Sequence, residues 1–99
     1  MNVITLNPKK NGAESISFLP LQCWNQNTKV VTIAAKISNK RVYCRVNEYD
    51  LRKKFHIFPY QVLQSINNFR AEIETAATKL IKNKNYQNDG SILIRYEDL

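Results

Sequence analysis

The sequence predicts an α+β fold of two layers: an antiparallel sheet of about four strands, in the order β-β-β-α-α-β, with a short and a long helix on one face. Three observations carry this expectation. The stretch KVVTIAAKISNKRVYCRVN, residues 29–47, alternates apolar and polar positions on both sides of a turn, as a hairpin with one buried face must. From Pro59 to Lys82, Val62, Ile66, Phe69, Ile73, Ala76, Ala77 and Leu80 recur at three- and four-residue steps, the stripe of a helix lying on a core. After the turn-rich NKNYQNDG, the apolar SILIRY (91–96) supplies a closing strand, with Ile92, Ile94 and Tyr96 on one side and Leu93 and Arg95 on the other.

The elements follow in order. Residues 1–14, polar and broken by Pro8 and Gly12, read as a flexible basic arm ahead of a single domain spanning 15–99. SISFL (15–19) alternates and reads as a strand stopped by Pro20, with QCWNQNT (22–28) as a turn. Trp24 in that turn is expected to roof the core, because a buried indole is a large apolar contribution to a small domain. With Asn39-Lys40 at the hairpin tip, Ile37 pairs with Val42, Ala35 with Cys44 and Ile33 with Val46 on the buried face. The other face then pairs Lys36 with Tyr43, Ala34 with Arg45, and Ser38 with Arg41. NEYDLRKKF (47–55) carries the end signals of a short helix: Asn47 as cap, Asp50 at the capping-box position, and Arg52, Lys53 and Lys54 at the negative end. The long helix, at about 1.5 Å per residue, reaches roughly 36 Å and crosses the whole domain.

Composition excludes several chemistries. The only glycines are Gly12 and Gly90, so no glycine-rich phosphate loop exists. Cys23 and Cys44 lack the CxxC spacing and clustered histidines of a metal site, and are expected as two free thiols in a reducing compartment. Neither a signal-peptide core nor a membrane-spanning run is present, so the chain is expected to be cytoplasmic, with no membrane partner. The single histidine, His56, lies between Phe55 and Ile57 in an inter-helix link, where a structural role is expected. Glu72 and Glu74 point to different sides of a helix, and Glu97/Asp98 sit at the chain end, so neither pair is suited to acid–base work. No catalytic residue, metal or small-molecule cofactor is therefore expected. An enzyme would need a concave pocket gathering polar groups from the long helix and the C-terminus.

Charge is uneven. Residues 1–46 hold seven lysines and arginines against the single acid Glu14, a net of +6, while residues 47–99 hold eight against seven, a net of +1. The candidate partner face is the exposed side of the hairpin, Lys36, Arg41, Tyr43 and Arg45, extended by Arg95 of the last strand. Cations with an aromatic between them on a sheet suit single-stranded nucleic acid, the cations taking phosphates and the ring a base. Two other readings stay open: a solvated outer face, where Tyr and Arg occur for β-propensity, and a protein partner or homodimer using Tyr43 and Leu93. The leading expectation is a small non-catalytic cytosolic interaction or regulatory module, with nucleic-acid binding as the alternative.

FRAEIE (69–74) looks like a site but reads as structure. Phe69 lies inside the apolar stripe, while Arg70 flanks it beside Glu74. Arg70 is expected to lay its aliphatic stem on the core and pair with Glu74 or with Glu97/Asp98. Trp24, Phe69, Arg70 and Glu74 are thus the expected structural anchors.

ISFLPLQCWN, the hairpin with NEYDLRKKF, FRAEIETAATKLI and DGSILIRYEDL resemble, in that order, the proteobacterial family catalogued as domain of unknown function 1488. The resemblance covers Ser15 to the C-terminus and implies a small α+β fold with helices on an antiparallel sheet. It implies no activity, cofactor or catalytic residue. This chain departs from the family pattern in its longer basic arm and in His56, where glycine is common.

Overall fold

Alternation along the first half of the chain builds three consecutive strands: β1 (Ile16–Asn25), β2 (Val30–Ile37) and β3 (Lys40–Asn47), each antiparallel to the next. In this computed structural model, which describes residues 15–99, they are followed by α1 (Glu48–Phe55), a 3₁₀ turn (Pro59–Gln61), α2 (Val62–Lys82) and β4 (Ile92–Ile94). A second 3₁₀ turn, Tyr96–Asp98, ends the chain, and the arm expected over residues 1–14 lies outside the described residues. The sheet order is β1-β2-β3-β4, and β4 joins β3 in parallel. The expected α+β order therefore holds, but the closing strand runs parallel where an antiparallel one was expected. Two helices intervene between β3 and β4, and such a crossover returns the chain to the end of the sheet from which β3 set out.

The inner sheet face and both helices share one core. Val31, Ile33, Ala35, Val42, Cys44, Val46, Ile92 and Ile94 meet Leu51, Val62, Ile66, Ile73, Ala76, Ala77, Leu80 and Ile81, all buried. The stripe read from the sequence is thus the packed face of α2, with one exception. Phe69 is only half-buried and has non-helical angles (φ −113°, ψ 18°), a kink within α2. Its ring stacks on Phe55 of α1 with centroids 4.1 Å apart. The expected single helix from Pro59 is instead a 3₁₀ turn followed by a kinked α-helix.

The hairpin tip is one residue earlier than expected. Ser38 and Asn39 form the two-residue loop, so Ile37 pairs with Lys40, Ala35 with Val42 and Ile33 with Cys44. The register differs from the expected one by two residues along β3. A slide of two leaves every side chain on its own face, so hydrophobic pattern could not choose between these registers; the turn did. Ser38 adopts a positive φ of 56°, as one central residue of a tight hairpin turn must.

Pro20 does not end the first strand. β1 continues to Asn25, and Trp24 lies within it, half-buried against the core rather than in a turn. Between the Phe18–Ala35 and Gln22–Ile33 pairs, Leu19, Pro20 and Leu21 stand opposite Ala34 alone, a bulge on an edge strand where proline is tolerated. The bulge turns carbonyls out of the ladder, and Arg70 of α2 collects them. Its guanidinium donates to the carbonyls of Leu19 (2.6 Å) and Leu21 (3.3 Å), to Gln22 Oε1 (2.9 Å) and to Glu74 Oε2 (2.7 Å). Arg70 is therefore anchored as expected on Glu74, but its remaining partners are on β1, not at Glu97 or Asp98.

The short helix has its expected charges, with Glu48 and Asp50 in the first turn and Arg52, Lys53 and Lys54 in the last. Asn47 occupies the cap position but its side chain makes no capping bond. The helix ends at His56, which takes the left-handed conformation (φ 56°, ψ 44°) and donates its N–H to the Arg52 carbonyl at 2.8 Å. Glycine is the usual occupant of that position. No helix among the described residues is long and apolar enough to cross a membrane.

Candidate functional site

Register decides which side chains meet on the outer sheet face. Lys36 stands directly opposite Arg41, Ala34 opposite Tyr43, and Thr32 opposite Arg45, which in turn faces Leu93 of β4. Lys36 and Arg41 are both exposed and neither has an ion-pair partner among the described residues. Directly opposed Cβ atoms lie about 5 Å apart, and like charges so placed destabilise a sheet. This cation pair therefore costs the sheet some stability.

Arg45 is different. Its guanidinium meets Asp89 Oδ2 at 3.1 Å, tying β3 to the loop before β4. Asp89 Oδ1 accepts from the Ser91 hydroxyl (2.6 Å) and the Ser91 N–H (3.0 Å). These bonds, the hydroxyl first, with Arg45 adding its charge, hold the Asp89 carboxyl down at about 2. Gly90 (φ 85°) makes the turn with a backbone that favours glycine, and its N–H donates to the Gln87 carbonyl at 2.9 Å.

Between this loop and β3 lies a concavity of about 760 Å³. Arg41, Tyr43 and Arg45 line it from β3, with Lys40 at the tip, and Tyr86, Asp89, Gly90 and Ser91 line it from the loop. Tyr43 and Tyr86 are each 42 % exposed. Three of the five expected face residues thus gather at one site. Lys36 sits beside Arg41 on the same face, outside the concavity. Arg95 is not brought in: β4 ends at Ile94, and Arg95 caps the terminal 3₁₀ turn, its N–H donating to Asp98 Oδ2 at 2.8 Å. Sequence reasoning missed Lys40, Tyr86 and the Asp89–Ser91 wall. The Asp-Gly-Ser run signalled a turn, but nothing local placed that turn beside a strand more than forty residues earlier.

A shallower depression of about 310 Å³ joins α2 to the C-terminus, with Glu72, Thr75, Lys79 and Asp98 on its walls. The Thr75 hydroxyl there is committed to the Ala71 carbonyl at 2.9 Å. Cys44 is buried, and burial pushes its thiol up to about 11; Cys23 is exposed, and both are free. Their positions on opposite sheet faces agree with the expected pair of free thiols.

A solved structure of a protein of unknown function from the DUF1488 family of Shewanella loihica PV-4 superposes with a TM-score of 0.76, covering 86 % of this chain and 97 % of that one at 22 % identity. That likeness is one of fold. No curated protein matches the chain. The family described as "Protein of unknown function (DUF1488)" matches residues 16–94, which include every strand and both helices described above, and the chain belongs to that family.

Proposed function

We propose that this protein is a non-catalytic cytosolic interaction module that presents the outer face and open edge of β3 to an anionic partner. The opposed Lys36–Arg41 pair carries the reading. A sheet gains nothing from two unpaired cations side by side, whereas a bound carboxylate or phosphate between them converts repulsion into two charge-assisted contacts. Lys40 adds a third cation at the rim, and Tyr43 and Tyr86 supply rings on facing walls. The test is titration of the labelled full-length chain with anionic probes at low salt, followed by resonances of the hairpin. Binding should weaken as salt rises and fall about tenfold or more in Arg41→Glu. Hairpin resonances unmoved by every acidic peptide and oligonucleotide tried would end the proposal.

A second reading has one observation of its own. Tyr86 gives the site a second ring beside Tyr43, and single-stranded nucleic acid stacks bases on such rings while cations take the phosphates. On this reading Tyr86→Ala lowers oligonucleotide affinity, and the logarithm of affinity falls linearly with the logarithm of salt.

A further inference from the structure

We infer that the partner is an extended acidic peptide that adds to β3 as a fifth strand, in line with the N-terminal end of β4; this rests on the anionic-partner reading above. The Glu48 N–H donates to the Lys29 carbonyl at 2.8 Å, which marks Val30–Asn47 as a pair that does not exchange its own main-chain bonds. Alternation puts Thr32–Arg45, Ala34–Tyr43 and Lys36–Arg41 in the same class. The main-chain groups of Arg41, Tyr43 and Arg45 therefore point away from β2, toward the other edge. β4 meets that edge only from the Cys44–Ile92 pair onward. Among the described residues, Arg41 keeps both its N–H and its carbonyl free for a ladder there, and Tyr43 keeps its N–H. The neighbouring loop does not take them, because its main-chain bonds run within itself, from Gln87 N–H to Ser91 and from Gly90 N–H to Gln87.

Side chains set the sequence such a strand would carry. On the outer side it would lie along Arg41 and Tyr43; on the other, Ile37 and Val42 reach the concavity. A strand alternating acidic and small apolar residues matches both sides at period two. The same charges bar a second copy of this chain, whose edge would bring Lys40 and Arg41 against their own kind. The main-chain edge favours a peptide over nucleic acid, because a peptide backbone supplies alternating donors and acceptors at strand spacing and a sugar-phosphate backbone does not. Arg45 is already paired with Asp89, so the acidic positions of the strand are set by Lys40 and Arg41. The far edge, β1, shows the contrast, since its bulge and Pro20 interrupt the ladder.

The experiment uses the full chain and amide hydrogen exchange read by NMR. The probe is a capped peptide of about eight residues alternating Glu with Val, a usual strand length. Its controls are the same peptide with proline at alternate positions and an oligodeoxythymidylate of similar length. The Glu-Val peptide should slow exchange at the Arg41 and Tyr43 amides about tenfold or more at saturation. The proline-bearing peptide, lacking donors, should bind at least about tenfold more weakly. Equal binding by the two peptides, or binding without protection of those amides, would overturn strand addition. So would amides already protected in the free chain, which would mean another segment holds the edge. An oligonucleotide that moves the hairpin resonances when the peptide does not would sink this inference and leave the anionic-partner reading standing. Silence from all probes would sink both.

Discussion

Arg70 shows how one side chain repairs a defect that the sequence makes elsewhere. Pro20 and the bulge free carbonyls at Leu19 and Leu21, and a guanidinium fork on the facing helix takes both while Glu74 holds its Nε. Its side chain is only 18 % exposed, so truncation leaves part-buried acceptors unpaired. Arg70→Ala should cost about 2 kcal/mol in denaturant unfolding, and Arg70→Lys should recover little, because an ammonium cannot match the fork. His56 offers the opposite case, since it holds a left-handed angle at the end of α1. His56→Gly should raise stability by about 0.5–1 kcal/mol, measurable in the same way. The sequence made the Arg70–Glu74 contact legible, because helix geometry puts residues four apart together. It could not reveal Leu19 and Leu21 as partners, about fifty residues away, without the bulge that aims them.

At the level of elements, patterns of period two and period 3.6 are enough to find four strands, both helices and their buried faces. Two of the misses share a cause: each leaves side-chain facing unchanged. The tip moved to Ser38-Asn39 by a slide that preserves every face, and β4 reversed direction without altering which residues it buries. Pro20 reads as a stop because a central strand does not accept it, yet β1 is an edge strand. The loop before β4 is an element in its own right, fixed by Asp89. Its carboxyl is lowered to about 2, so its turn bonds to Ser91 persist at any pH above the ordinary carboxylate value and are lost as pH falls through that lowered one. The Ser91 amide shift should therefore stay constant from neutral pH down past about 4, the usual aspartate value, and move only on further acidification. A midpoint near the ordinary value would show that the Ser91 bonds do not hold the carboxylate.

For the whole molecule, the candidate site was half legible. Arg41, Tyr43 and Arg45 could be read from the alternation of one hairpin, because facing is local. Tyr86 and Asp89 could not, because only the crossover that brings β4 beside β3 sets the loop against them. The resulting surface has an internal division: Arg45 is neutralised by Asp89 and braces the wall, while Lys36 and Arg41 stand opposed with no ion-pair partner among the described residues. That opposition costs stability, and it is the core of the functional reading. The most direct measurement is the stability of Arg41→Glu against the parent chain in low and high salt. Replacing repulsion by a cross-strand Lys36–Glu pair should stabilise the variant by about 0.2–1 kcal/mol in low salt, with the gap shrinking as salt is added. A parent chain more stable than Arg41→Glu in low salt would show that the two cations are not in conflict, and would contradict the account.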